Sequence, residues 1–273
     1  MSMRGASAEA VARLGDQLRE QVSGAPRRAA TMSVELFSVS TTLRQEGALR
    51  RFLTDASVPA EGKTGLVRQV FAGQADEHTV ELLDAAVSAR WTSAGDLPEA
   101  LEDLSVVAAV RSAGTDSERL SDELFTVDQA VRHDSSLRDA LSDPARSTGD
   151  KEQLVRDLLG DAALEATVLL TVQAVTGSHR TVTAALGVYQ KVAGQVHGER
   201  VATVRVAKPL TDEDTRRLEQ ALATQYDRPV HLNLVVDPDV IGGVRVEIGD
   251  DVIDGTVASR LADARRRLAG TAG

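Results

Sequence analysis

The sequence predicts a mainly α protein: two tandem helical bundles followed by a small α/β module of pattern β-α-β-β-α. Three observations carry this. First, the chain repeats itself. Shifted by 88 residues, Glu35-Leu36-Phe37 falls on Glu123-Leu124-Phe125, and Arg44 falls on Arg132. Leu49-Arg50 falls on Leu137-Arg138, Lys63 on Lys151, Leu66-Val67-Arg68 on Leu154-Val155-Arg156, and Thr79-Val80 on Thr167-Val168. The offset holds without a gap from 35 to 87, the mark of one unit built twice. Second, apolar residues up to residue 197 recur at three- and four-residue spacing, which is helical. Third, from Gly198 the spacing changes to alternation with β-branched residues, which is the period of a strand.

The elements follow in order. Residues 7–23 form an amphipathic helix with Val11, Leu14, Leu18 and Val22 on one stripe, stopped by Ser23-Gly24-Ala25-Pro26. The first copy then carries Val34, Leu36, Phe37 and Leu43 in a helix reaching about Glu46. A short helix holds Leu49, Phe52 and Leu53, and another holds Leu66, Val67, Val70 and Phe71. Residues 79–90 are a further helix. Gly95-Asp96-Leu97-Pro98 reads as a break, and a long helix over about 98–112 follows it. The second copy repeats this order, ending in helices over 165–176 and 182–196. The expected divisions are 1–97, an extra helical bundle; 98–199, a second; and 200–273, the α/β module.

In that module Arg200–Val206 is a strand, and Thr211 caps a helix whose first turn carries Asp212, Glu213 and Asp214, favourable at the positive end of the helix dipole. Residues 230–236 and 244–248 are strands. Gly249-Asp250 turns into a short return strand over 251–254, and a helix closes the chain over 256–268.

Composition narrows the function. The 273 residues include 42% hydrophobic but only 3% aromatic residues, so the core is built of Leu, Val and Ala. Stacking on single-stranded nucleic acid needs rings, and a net charge of -10 repels phosphate backbones. With no cysteine, thiolate nucleophiles and cysteine-based zinc sites are excluded. No apolar run approaches the roughly 18 residues of a membrane span, and the N-terminus lacks a signal-peptide core, so a soluble, cytosolic chain is expected.

Clusters that could carry chemistry have plainer readings. Asp250, Asp251 and Asp254 read as a polar hairpin before a metal site, because no ligand spacing is completed. Ile241-Gly242-Gly243 precedes a strand, the wrong order for a phosphate loop; the glycines fit a bulge, a positive φ or a close backbone approach. His78, His133, His179, His197 and His231 are scattered, and no Gly-x-Ser-x-Gly elbow is present. Trp91 is expected in the first bundle, and Arg265-Arg266-Arg267 at a solvated helix end. No catalytic residue, metal or cofactor is expected. From the residues alone, a helical adaptor or regulatory protein stays open.

One segment is more specific. Val240-Ile241-Gly242-Gly243-Val244-Arg245-Val246, Ile248-Gly249-Asp250, Val252-Ile253-Asp254-Gly255-Thr256-Val257 and Arg260-Leu261 together resemble the C-terminal signature of the F-type ATP synthase δ subunit family, which includes the mitochondrial oligomycin-sensitivity-conferring protein. Thr256 stands where Ser is usual, and Ala258-Ser259 replaces the usual Arg-Gly. Residues from about 98 to 270 resemble a whole δ subunit, and 1–97 an extra copy of its helical domain, as in actinobacterial members.

The resemblance implies a non-catalytic stator subunit, peripheral at the cytoplasmic face of the cell membrane. It implies that the helical domain binds N-terminal helices of the α subunits and that the α/β module holds the b-type stalk, so that the head resists rotor torque. It places the α-binding helices at about 98–112 and 164–177, with Leu101, Leu104 and Val168 as candidate contacts and the core as the competing place for each. The extra copy is expected to widen the contact with head or stalk.

Overall fold

The computed structural model describes residues 3–257 except 72, 199, 239, 241 and 250. Among the described residues there are twelve α-helices and four strands. They divide into two compact units, Met1–Val192 and Ala193–Gly273.

The first unit is helical. Its elements are α1 (Ala6–Val22), α2 (Pro26–Gln45), α3 (Gly47–Thr54), α4 (Ala60–Phe71), α5 (Glu77–Ser88), α6 (Asp96–Ser112), α7 (Ser117–His133), α8 (Ser135–Ser142), α9 (Thr148–Leu159), α10 (Glu165–Thr176) and α11 (Val182–His197), whose last turn crosses the division. Local chemistry sets several boundaries. Pro26 begins α2, where a missing N–H costs nothing and φ is already helical. Asp76 caps α5 by accepting from the His78 N–H, and Ser147 with Asp150 forms a reciprocal capping box on α9.

Gly95–Pro98, expected as a break, is instead the entry to α6. Pro98 lies in the first turn, where the helix does not need its N–H. The residue boundary at 97/98 therefore falls inside this helix.

Helix α6 explains how the repeat is laid out. It closes the first copy as α11 closes the second, and it opens the second copy as α1 opens the first; the three follow one another at about the 88-residue offset. Leu97 and Leu101 are buried, as are their counterparts Ala185 and Tyr189 on α11. One helix thus serves both copies. It packs on α1, α2 and α3 of the first and on α10 of the second. A helix covered from several sides must be apolar around most of its circumference, and α6 buries Leu97, Leu101, Leu104, Val106, Ala109 and Val110. Trp91 packs against the same core as expected, its indole N–H donating to the Ala86 carbonyl at 2.8 Å.

The second unit is the expected α/β module: β1 (Arg200–Val206), α12 (Asp212–Tyr226), β2 (Val230–Val236), β3 (Val244–Ile248) and β4 (Asp251–Asp254). The sheet order is β2-β1-β3-β4, with β1 parallel to β2 across the α12 crossover and the other pairings antiparallel. Ala202, Val204 and Val206 on β1 and Val246 and Ile248 on β3 share a core with Leu222 of α12. Thr211 caps α12 as expected, its hydroxyl accepting from the Asp214 N–H at 3.1 Å. The closing helix expected over 256–268, and Arg265–Arg267 with it, lie outside the described residues from 258 on.

Candidate functional site

Two constellations stand out: a glycine joint in the α/β unit and a buried polar seam in the helical unit.

The joint is made by the residues of the C-terminal signature. Gly242 and Gly243 have φ of 69° and 83°, backbone that favours glycine. At Gly243 a second constraint applies, because a Cβ there would lie against the Gly255 carbonyl and the Thr256 backbone. The approach is fixed by two main-chain bonds: the Gly255 N–H donates to the Val244 carbonyl at 2.9 Å, and the Val257 N–H to the Gly242 carbonyl at 3.1 Å. Asp254 completes it by accepting from the Thr256 N–H at 3.0 Å and from the Thr256 hydroxyl at 2.7 Å. These bonds hold the Asp254 carboxyl below its usual range. The Thr in place of the usual Ser keeps this hydroxyl. Gly249, at φ 63°, turns the β3–β4 hairpin. Ile241, Asp250, Arg260 and Leu261 of the signature lie outside the described residues.

Asp254 is thus occupied in a local turn, and among the described residues no group of three or more His, Asp or Glu side chains is arranged to hold a metal ion. His179 stacks edge-on to buried Tyr189, ring centroids 5.6 Å apart.

In the helical unit the structure buries Leu101, Leu104 and Val168. Leu101 and Leu104 belong to the continuous core that joins α1, α2, α5 and α6. They shape the bundle from inside.

What sequence reading missed is polar. Glu102, only 3% exposed, pairs with Arg44 of α2. It also accepts from the Ser178 N–H at 3.0 Å and the Ser178 hydroxyl at 2.7 Å, in the turn after α10. One turn further along α6, the Ser105 hydroxyl donates to Gln173 Oε1 at 3.3 Å, and Gln173 Nε2 donates to Ser33 Oγ of α2 at 2.9 Å. The Ser40 hydroxyl and the Arg44 guanidinium both reach the Pro98 carbonyl. No local sequence signal marks this seam, since Glu102 is one of several acids on α6 beside Asp96, Glu99 and Asp103.

The repeat also has an internal staple. Glu35 accepts from the Asp76 N–H at 2.9 Å and the Thr79 hydroxyl at 2.5 Å. Glu123 accepts from the Leu164 N–H at 2.8 Å and the Thr167 hydroxyl at 2.5 Å. All three pairs of positions keep the 88-residue offset.

Known proteins match this architecture over its length. The family model for the ATP synthase delta (OSCP) subunit matches residues 104–268, which takes in the second copy and the signature. The chain belongs to the ATP synthase delta (OSCP) subunit family. Among its relatives, an ATP synthase subunit delta of a Nocardioides species is 56% identical over 98% of both chains. One from Streptomyces griseus is 38% identical over 98% of this chain and all of its own. These matches extend over the first copy as well as the second. A chain in the cryo-EM structure of the Toxoplasma gondii mitochondrial ATP synthase hexamer is 20% identical, covering 60% of this chain and 94% of its own, with a TM-score of 0.36. Among the described residues no helix is long and apolar enough to cross a membrane.

Proposed function

We propose that the chain is the non-catalytic stator subunit of an F-type ATP synthase, joining the catalytic head to the peripheral stalk so that the head does not turn with the rotor. The observation that carries this is the full-length match to delta subunits across both helical copies and the glycine joint. The helical unit faces the N-terminal helices of the α subunits; Leu101, Leu104 and Val168 support that surface from beneath. The α/β unit holds the end of the b-type stalk, with the Gly243–Gly255 joint setting the position of the chain that follows β4. The complex lies at the cytoplasmic face of the membrane.

Physical chemistry suits the role. Helical surfaces take amphipathic partner helices by their apolar stripes. The test is to purify the native complex through a tag on this chain. Recovery of α and b subunits in fixed ratio is expected; recovery of the chain without synthase subunits would leave an adaptor of another system as the better reading.

A further inference from the structure

We propose that α2 of the first copy is an internal brace: it is clamped to α6 and α10 through Glu102 and Gln173, making the two copies one mechanical body. Three observations lead there. The copies have α6 in common, so no flexible linker separates them. Helix α2 of the first copy lies on both α6 and α10, tied by the chain Ser33–Gln173–Ser105. And Glu102 grips both sides of the seam, Arg44 on α2 and Ser178 after α10.

The repeat shows that this clamp is specific to the junction. Shifted back by 88, Glu102, Gln173, Gly177 and Ser178 correspond to Leu14, Ala85, Ala89 and Arg90, so the first copy has neither the carboxylate nor the amide that the clamp needs. Gly177 is needed for the approach, since a Cβ there would collide with Glu102 Oε1 and the Gln173 carbonyl.

The arginines show how the clamp was made. Arg44 and Arg132 are equivalent. Arg132 pairs within its own helix with Asp128 at 2.7 Å, while the position opposite, Gln190, is neutral and reaches the Leu124 carbonyl. In the first copy the two positions are exchanged: Ser40 stands for Asp128 and Glu102 for Gln190. Each buried carboxylate keeps one arginine partner, as a buried charge requires. Moving the carboxylate from the arginine's own helix to α6 places it where Ser178 can also donate to it.

This inference concerns contacts within the chain, so it stands or falls separately from the partner assignment. The double variant Ser40→Asp/Glu102→Gln gives the first copy the second copy's arrangement. It keeps a carboxylate partner for Arg44 and takes the charge out of the grip on Ser178, leaving a neutral amide there. In native-state hydrogen exchange on the full chain, the account expects wild-type helix content with amide exchange in α10 and the facing turns of α2 faster together by about tenfold or more, the scale of a lost charge-assisted hydrogen bond. No change, or a rise confined to residues 177–181, would overturn it. If the double variant does not reach wild-type helix content, Ser178→Ala decides: it removes only a donor hydroxyl and should speed α10 and α2 by about tenfold together, whereas unchanged exchange in either helix would overturn the proposal.

Discussion

The two helical copies are the same in their staples and different in their arginines, and the difference tells where the chain is joined. Glu35–Thr79 and Glu123–Thr167 have the same geometry because each ties its own copy's second helix to its fifth. Arg50 and Arg138 likewise each donate to two carbonyls at the end of the preceding helix, in both copies alike. These residues serve the bundle and stay fixed at the repeat offset. Arg44 and Arg132 are identical in sequence, yet one crosses to α6 and the other stays on α7. Identity across a repeat marks what each copy needs for itself; exchange marks what the pair needs.

The strongest way to break the comparison is to separate the copies. A chain starting at Asp96 loses α1, α2 and α3 from the surface of α6. Leu101 and Leu104, buried in the full chain, would be uncovered at about 1.5–3 kcal/mol each. The fragment is expected to lose helix content and solubility; circular dichroism at wild-type helicity would show instead that the second copy is a self-sufficient module.

Next is the arginine pair. Arg44→Met leaves Glu102 buried without its cation, and a loss of about 3–5 kcal/mol is expected. Arg132 is half-exposed, so water replaces much of what it gives Asp128, and Arg132→Met is expected to cost about 1–2 kcal/mol. Denaturant midpoints compare the two; equal losses would remove the distinction between them.

The staples should behave alike. Thr79→Ala and Thr167→Ala each take one hydroxyl from a carboxylate, and each is expected to cost about 1.5 kcal/mol, with the same midpoint shift.

The smallest effect is on pH. Burial raises the Glu123 carboxyl, but hydrogen bonds from Thr167, the Leu164 N–H and Arg119 outweigh it and hold the group below its usual range. A group depressed in the folded state contributes stability above its unfolded value of about 4.3, lost as pH falls through the lower folded value. Glu123→Gln should therefore flatten the fall in stability below about pH 4; an unchanged acid limb would mean the staple does not contribute through its charge.

Much of this was legible in the sequence because it rests on period. The 88-residue offset, the helical stripes and the alternation after Gly198 are backbone-level signals, and they gave the element order and the α/β module. The role of Gly243 was readable as a positive φ or a close approach, and it is both. The junction was harder to read. Gly95–Pro98 looks like a break because glycine and proline usually end helices, yet a proline in the first turn leaves α6 intact. Glu102 looks like any surface acid of an acidic chain. Its partners lie 58 residues before it and 76 after it, beyond any local pattern.

The most direct test of the single helical body is native-state hydrogen exchange along α6 in the full chain, followed as denaturant is raised. If α6 belongs to both copies, its buried amides should open with those of α2 and α10, at one common free energy and one common denaturant dependence. If α1–α5 open as one unit and α7–α11 as another, with α6 following only one of them, the copies are separate modules and the brace does not exist.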